Sequence, residues 1–331
     1  MPRVVRFHRL GGPEVLELEE VPVREPGPGE VRLRVDAIGL NRSEANFRRG
    51  KYLDAVRAFP SGLGYEAAGE VELPGEGVTG FGPGDRVSVL PVFPQSQFPV
   101  YGEQAVVPAA ALVHRPEEVD AVTGAAVWMP FITAYGALLD VGRIRPGDHV
   151  VITAASSSVG LAAIQVANRA GAIPIATTNT PDKKRRLADA GAAAVIVVGH
   201  DDLAGKVREL TGDRGAEFVF DAVAGPGITE LAGVLAANGV LFVHGGLSGE
   251  PTPMPGLDTM RPLYVRPYTL FEITGDEQRL RRAQHFVTSG LKSGAFRPAI
   301  DRTFDLSEIV QAHRYLESGR QVGKIVVTVR H

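Results

Sequence analysis

Cysteine is absent from all 331 residues. Its absence excludes disulfides, thiolate nucleophiles and cysteine-held zinc or iron–sulfur clusters. An excess of either charge is missing too: 35 Lys and Arg against 38 Asp and Glu leave a formal net charge of −3. No global positive field therefore draws the chain to nucleic acid or to an anionic membrane surface. No uninterrupted apolar run comes near the length of a spanning helix, about 18 residues. The opening "MPRVVRFHRLGGPE" has neither an apolar signal core nor a cleavage pattern. These absences lead us to expect a cytoplasmic protein with no membrane and no nucleic-acid partner.

What is present is ordinary in composition, with 44% hydrophobic and 22% charged residues, at a length that suits two cores. Residues 1–120 carry short β-type runs, among them "EVRLRVDAIGL", "AAGEVE", "DRVSVL" and "EQAVVP", separated by turn formers such as "REPGPGE" and "GFGPGD". This predicts a mostly antiparallel β domain. From 121 the pattern alternates: "HVVITA" precedes an apolar helix over 158–170, "IPIATT" precedes the basic "PDKKRRLADAG", and "AAVIVV" precedes "DDLAGKVRELTG". "AEFVFDAV" with "GITELAGVLAANG", then "VLFVHGG", complete five strands, and "RPYTLFEIT" is a candidate sixth. Such alternation predicts a parallel sheet covered on both faces. Amphipathic helices near 276–292 and 306–318 and a strand "GKIVVTV" close the chain.

The turn "TAASSSVG", residues 153–160, sits where a dinucleotide fold carries its glycine-rich loop, whose small residues let backbone N–H groups approach pyrophosphate. Ser157, Ser158, Val159 and Gly160 are the candidates, with Gly160 placed for close helix–strand packing. A plain strand–helix turn is the competing reading. The end of the second strand favours a nucleotide: an NAD site has an acidic residue there, whereas this sequence has Asn179 followed by four cations at 183–186. Cations at a helix start oppose the macrodipole, and a bound 2′-phosphate on Lys183 would compensate. A solvated helix face is the alternative, and the expected one for Lys184 and at least one arginine.

The ordered set "GLNRSEANFRRGKY", "FPSGLGYEAAGEV", "GFGPGDRV", "ITAYGAL", "SSSVGLAAIQVA" and "GKIVV" resembles the zinc-independent medium-chain dehydrogenase/reductases of the quinone oxidoreductase (zeta-crystallin-like) type over nearly the whole chain. The resemblance implies an α/β architecture. A GroES-like catalytic domain would span 1–120, a Rossmann NADP-binding domain 121–270, and a return segment completing the first domain 271–331. It also implies NADPH in a cleft between the domains, and a homodimer through the Rossmann edge strand, for which "RPYTLFEIT" is the candidate.

Zinc-dependent relatives hold their metal at positions that correspond here to Asn41, Tyr65 and Met129, so no metal is expected. The resemblance places Asn41, Tyr52 and Tyr65 around the substrate. Tyr52 would be the polariser or proton donor, and Asn41 an amide donor or a turn cap. Thr133 is expected against the nicotinamide, with Gly245 and Gly246 allowing backbone approach. Lys324 would lie near the cofactor or else be an exposed edge-strand lysine. Val198 stands where a tyrosine often lies near adenine. Glu66 would order the loop, and His114 and His244 would be core or surface residues.

Metal-free hydride transfer suits an acceptor that is already electron-poor. The expected activity is therefore NADPH-dependent reduction of quinones, enones or enals. The alternatives are an enoyl-thioester reductase of the same fold and a non-catalytic crystallin-like or RNA-binding protein, the latter opposed by the acidic balance.

Overall fold

The computed structural model describes residues 1–255 and 261–331. Contacts within the chain divide it into two units, Met1–Met129 with Pro298–His331, and Pro130–Arg297.

The first unit opens with β1 (Arg3–Arg6) and β2 (Glu17–Glu20), an antiparallel ribbon. A larger sheet follows, built on β3 (Glu30–Gly39), β4 (Glu66–Pro74), β5 (Arg86–Val89), β6 (Gln104–Pro108) and β7 (Leu112–His114). The two-residue period of "VRLRVDA" explains β3: Val31, Leu33, Val35 and Ala37 are buried while the residues between them are only partly so. Helices α1 (Arg42–Arg48) and α2 (Ala121–Gly124) accompany this sheet.

The second unit takes in most of α3 (Trp128–Tyr135) and a six-stranded parallel sheet. Its strands are β8 (His149–Ile152), β9 (Ile173–Thr178), β10 (Ala194–Val197), β11 (Ala216–Asp221), β12 (Leu235–Val243) and β13 (Leu263–Pro267). The order is β10-β9-β8-β11-β12-β13, the Rossmann arrangement, with the direction of winding reversing between β8 and β11. Helices α4 (Ser158–Arg169), α5 (Lys184–Asp189), α6 (Leu203–Thr211) and α7 (Ile228–Gly233) connect the first five strands. Val151, Ile175, Ile196, Val219 and Leu241, one from each of these strands, share one buried cluster.

Three sequence expectations change here. The helix over "GITELAGVLAANG" ends at Gly233, because Leu235 already pairs with Ala216 and Gly239 with Leu263 in the sheet. The sixth strand is Leu263–Pro267, not "RPYTLFEIT": Tyr268 turns inward onto Phe242, with ring centroids 6.2 Å apart, and α8 (Phe271–Thr274) follows. The helix α9 (Glu277–Lys292), expected in the return segment, packs in the second unit. Its Phe286 lies 5.1 Å from the Tyr135 ring and 5.3 Å from the Arg169 guanidinium carbon.

The return segment gives the first unit β14 (Ile300–Asp305), α10 (Ile309–Glu317) and β15 (Lys324–Thr328), extending its sheet to β14-β15-β3-β4-β5-β7 with β6 also on β3. Contrary to the sequence expectation, one helical stretch, Ala121–Val141, is long and apolar enough to cross a membrane by composition. Since 83% of its most apolar window is buried within the protein, it is core. Thr123, Gly124, Pro130, Thr133 and Gly136 interrupt the run in the sequence and hide its length.

Candidate active site and nucleotide site

In the second unit, β8 runs into the loop at Thr153, and Ala154 adopts φ 44° to turn the chain. Ser157 caps α4, its Oγ accepting the N–H of Gly160 at 3.0 Å. By helix geometry the N–H groups of Ser158 and Val159 have no acceptor within α4, and such a terminus favours an anion. Gly160 must be glycine, because a Cβ there would lie 2.6 Å from the backbone of Ala155. The first turn of α4 thus packs closely on the loop that precedes it, not on β8, which ends at Ile152.

At the end of β9, Thr178 is buried and Asn179 is exposed, so no carboxylate stands there. Lys183 reaches back to the loop, its Nζ 3.3 Å from Ser156 Oγ. Lys184 turns away to Asp201, also at 3.3 Å, and Arg185 is 92% exposed at its side chain. Of the basic run, then, Lys183 faces the loop before α4, while Lys184 pairs with Asp201 and Arg185 is exposed. Gly245 is also constrained, since a Cβ would meet the Ala222 carbonyl oxygen at 2.6 Å; Gly246 has open space. Thr133 is buried in α3, Val198 is 44% exposed, and His244 stacks on Phe220 at 3.9 Å. His114 stacks on Phe81 at the surface.

Sequence reasoning missed Asp221. Fully buried at the end of β11, it accepts hydrogen bonds from Thr153 Oγ1 at 2.6 Å, Val223 N at 3.0 Å and Ala224 N at 2.8 Å. It ties the two strand ends together where the winding reverses. The signal was available: an acidic residue closing an otherwise apolar strand, "AEFVFD", needs buried partners.

In the first unit the sheet register gathers a polar cluster. Gly39 at the end of β3 pairs with Glu66 on β4 and with Val326 on β15, bringing Asn41, Glu66 and Lys324 to one end of the sheet. Lys324 is 1% exposed, and its Nζ donates to Glu66 Oε2 at 2.6 Å and to Asn41 Oδ1 at 2.5 Å. Glu66 Oε1 accepts the backbone N–H groups of Trp128 at 2.6 Å and Met129 at 3.1 Å. The loop-ordering expected of Glu66 is thus visible. The exposed edge-strand reading of Lys324 fails, since β15 lies between β14 and β3.

Asn41 caps α1, and its Nδ2 donates to Gly39 O at 3.2 Å and Glu44 Oε1 at 3.1 Å. Both N–H bonds of its amide are therefore engaged, against the expectation that it donates to substrate. The turn-cap alternative describes what it does. Glu44, also unread in the sequence, is fully buried and accepts the Asn41 N–H at 2.7 Å. The spacing Asn41-x-x-Glu44 is a capping-box signature that points to this pair.

Tyr52 and Tyr65 meet edge-on, with ring centroids 6.2 Å apart. Tyr65 is buried and Tyr52 half-buried. Burial pushes the Tyr52 phenol up to about 12 and that of Tyr65 higher still, so both are O–H donors at neutral pH. For zinc, the donor set is unsuitable: amide, phenol and thioether stand at positions 41, 65 and 129, and the amide oxygen and nearby carboxylate are already held by Lys324.

Residues 190–327 match the zinc-binding dehydrogenase family, and residues 27–117 the alcohol dehydrogenase GroES-like domain. A quinone oxidoreductase of Pseudomonas aeruginosa is 34% identical over 99% of both chains. A 2-haloacrylate reductase of a Burkholderia species is 30% identical over 97% of both. The solved structure of Escherichia coli quinone oxidoreductase complexed with NADPH superposes with a TM-score of 0.89 at 28% identity, covering 98% of this chain and 99% of that one. With similarity running end to end across a GroES-like unit and a Rossmann sheet, the chain belongs to the quinone oxidoreductase family of the medium-chain dehydrogenase/reductases.

Proposed function

We propose that this protein is an NADPH-dependent reductase of quinones or α,β-unsaturated carbonyl compounds that works without a metal ion. The observation that carries the reading is the Asn41–Glu66–Lys324 cluster, whose potential ligand atoms are engaged internally, together with the half-buried Tyr52 phenol packed on Tyr65. The relatives' names support it, joining a quinone and an electron-poor alkene as acceptors. NADPH, when bound, supplies hydride. Lys183, with Ser156 and the first turn of α4, would hold the 2′-phosphate and pyrophosphate, while Gly245 and Gly246 admit the coenzyme backbone-close. Thr133 would contact the nicotinamide. Tyr52 donates a hydrogen bond, then a proton, to the acceptor oxygen where charge develops. Tyr65 orients Tyr52, and Asn41 and Lys324 act as positioning residues beneath them.

The test is a panel of small quinones, enones, enals and an enoyl thioester, following NADPH oxidation by its absorbance. Turnover with quinone or enone is the expected result. Turnover with the thioester alone would transfer the assignment to the rival reductase, and binding without turnover would favour a non-catalytic role.

The same reading includes a cytoplasmic homodimer joined through β13. Among the described residues no strand pairs with its outer side, and Tyr264 on it is 60% exposed. Sedimentation of wild type and Tyr264→Glu checks this: the dimer is expected to dissociate in the variant.

A further inference from the structure

Tyr52, the donor assigned above, stands on a segment with no helix or strand of its own. Lys51 N–H still bonds to Asn46 O in α1, at 2.8 Å. Beyond it, among the described residues, no backbone group of residues 52–60 bonds to another backbone group. Lys51, Leu53, Ala55 and Arg57 are exposed, and Tyr52, Asp54 and Val56 are only half-buried. Neither a backbone ladder nor a deep apolar anchor holds the phenol in place, and segments of this kind open most easily. Side chains must fix it.

The segment 91–99 supplies them, and it is itself firmly seated. Gln95 is fully buried and its Oε1 accepts the Gly64 N–H at 3.1 Å. Phe93 lies 6.3 Å from the Tyr65 ring and 5.6 Å from that of Phe98. The N–H groups of Val100 and Tyr101 then bond to Leu63 O at 3.1 and 3.2 Å. From this base Ser96 grips the Tyr52 segment: its Oγ donates to Asp54 Oδ2 at 2.9 Å and its N–H to the same oxygen at 3.3 Å. Three residues on, the Arg57 guanidinium donates to the Gln97 side-chain oxygen at 2.6 and 3.1 Å. Both segments therefore take their bearings from Gly64 and Tyr65, on which the Tyr52 ring also packs.

We propose that Asp54 is a positioning residue for the Tyr52 phenol, clasped by Ser96 so that the donor keeps one placement against Tyr65. The inference rests on the reductase reading above and names a residue that acts through Tyr52. Asp54 is two residues from the phenol, so only Leu53 lies between clasp and donor, and Leu53 is 73% exposed with little packing to hold it. Two donors converging on one carboxylate oxygen fix a direction as well as a distance, which a single surface contact does not. A group misplaced by about 1 Å can cost roughly 100-fold in rate, so a clasp this near the donor registers in turnover.

The test is a double-mutant cycle on Asp54→Ala and Tyr52→Phe, with NADPH and either methyl vinyl ketone or 1,4-naphthoquinone, whichever the wild type reduces. Asp54→Ala alone is expected to lose about 10- to 100-fold in kcat, with NADPH affinity by calorimetry unchanged. In the Tyr52→Phe background the same change should cost no more than about twofold, because the group it positions is gone. Asp54→Asn keeps an oxygen acceptor and should restore most of the kcat. Ser96→Ala removes only the shorter bond and should fall between wild type and Asp54→Ala, which decides the matter should Asp54→Ala fail to fold. Wild-type kcat in both Asp54→Ala and Ser96→Ala, or an undiminished loss in the Tyr52→Phe background, would overturn the clasp alone. Wild-type kcat in Tyr52→Phe would overturn the donor assignment and the clasp with it. Absence of wild-type turnover with any quinone or enone would overturn the reductase reading itself.

Discussion

Lys183 and Lys324 are both lysines with named oxygen partners, but only one of them was legible in the sequence. Lys183 declares itself by position, five residues after the end of β9 at a strand end that lacks a carboxylate, and its ammonium does approach the loop. Replacing it with alanine removes one charge-assisted bond worth about 1.5–3 kcal/mol, roughly 10- to 150-fold in NADPH affinity. NADH affinity should barely change; calorimetric titration with both coenzymes checks the split. Lys324 reads from sequence as a cofactor neighbour or else an exposed edge-strand lysine, and its burial on Glu66 is hidden there because that carboxylate lies 258 residues away. Lys324→Met strands the buried Glu66 carboxylate and should cost about 3–5 kcal/mol in urea unfolding, with partial recovery in a Lys324→Met/Glu66→Gln double variant.

Among elements, the strand–helix alternation was readable because strand period and helix period differ, and β8 through β11 fall where the apolar runs lie. What the runs could not give is where α7 stops or which segment forms the edge strand, since both depend on pairing with strands distant in sequence. The short loop before α4 is the most exacting junction. Gly160→Ala would drive a methyl into the backbone of Ala155, 2.6 Å away. A destabilisation of about 1–3 kcal/mol is expected from such overpacking, read as a lower melting temperature and weaker NADPH binding. Ser157→Ala removes the cap bond and should cost about 1 kcal/mol.

For the whole molecule, two buried groups set opposing pH trends. His313 on α10 is fully buried, both ring nitrogens lack a partner among the described residues, and burial with Arg48 nearby lowers it from 6.5 to about 3. Between those values the unfolded chain binds a proton that the folded one refuses, so stability falls as pH drops through that window, by about 1.4 kcal/mol per unit at full effect. Glu44, raised from 4.5 to about 7, works the other way: the folded chain keeps its proton where the unfolded one loses it, and stability declines as pH rises across that interval. Urea midpoints against pH should show the acid limb flattened in His313→Leu and the neutral decline removed in Glu44→Gln. Neither trend was visible in the sequence, where His313 and Glu44 sit among polar neighbours in "QAHRY" and "RSEAN" and only tertiary packing reveals their burial.

A side-chain ammonium held at the heart of the polar cluster cannot be stripped away by dialysis. If turnover is metal-free as proposed, prolonged exposure to a chelator should leave it where it began.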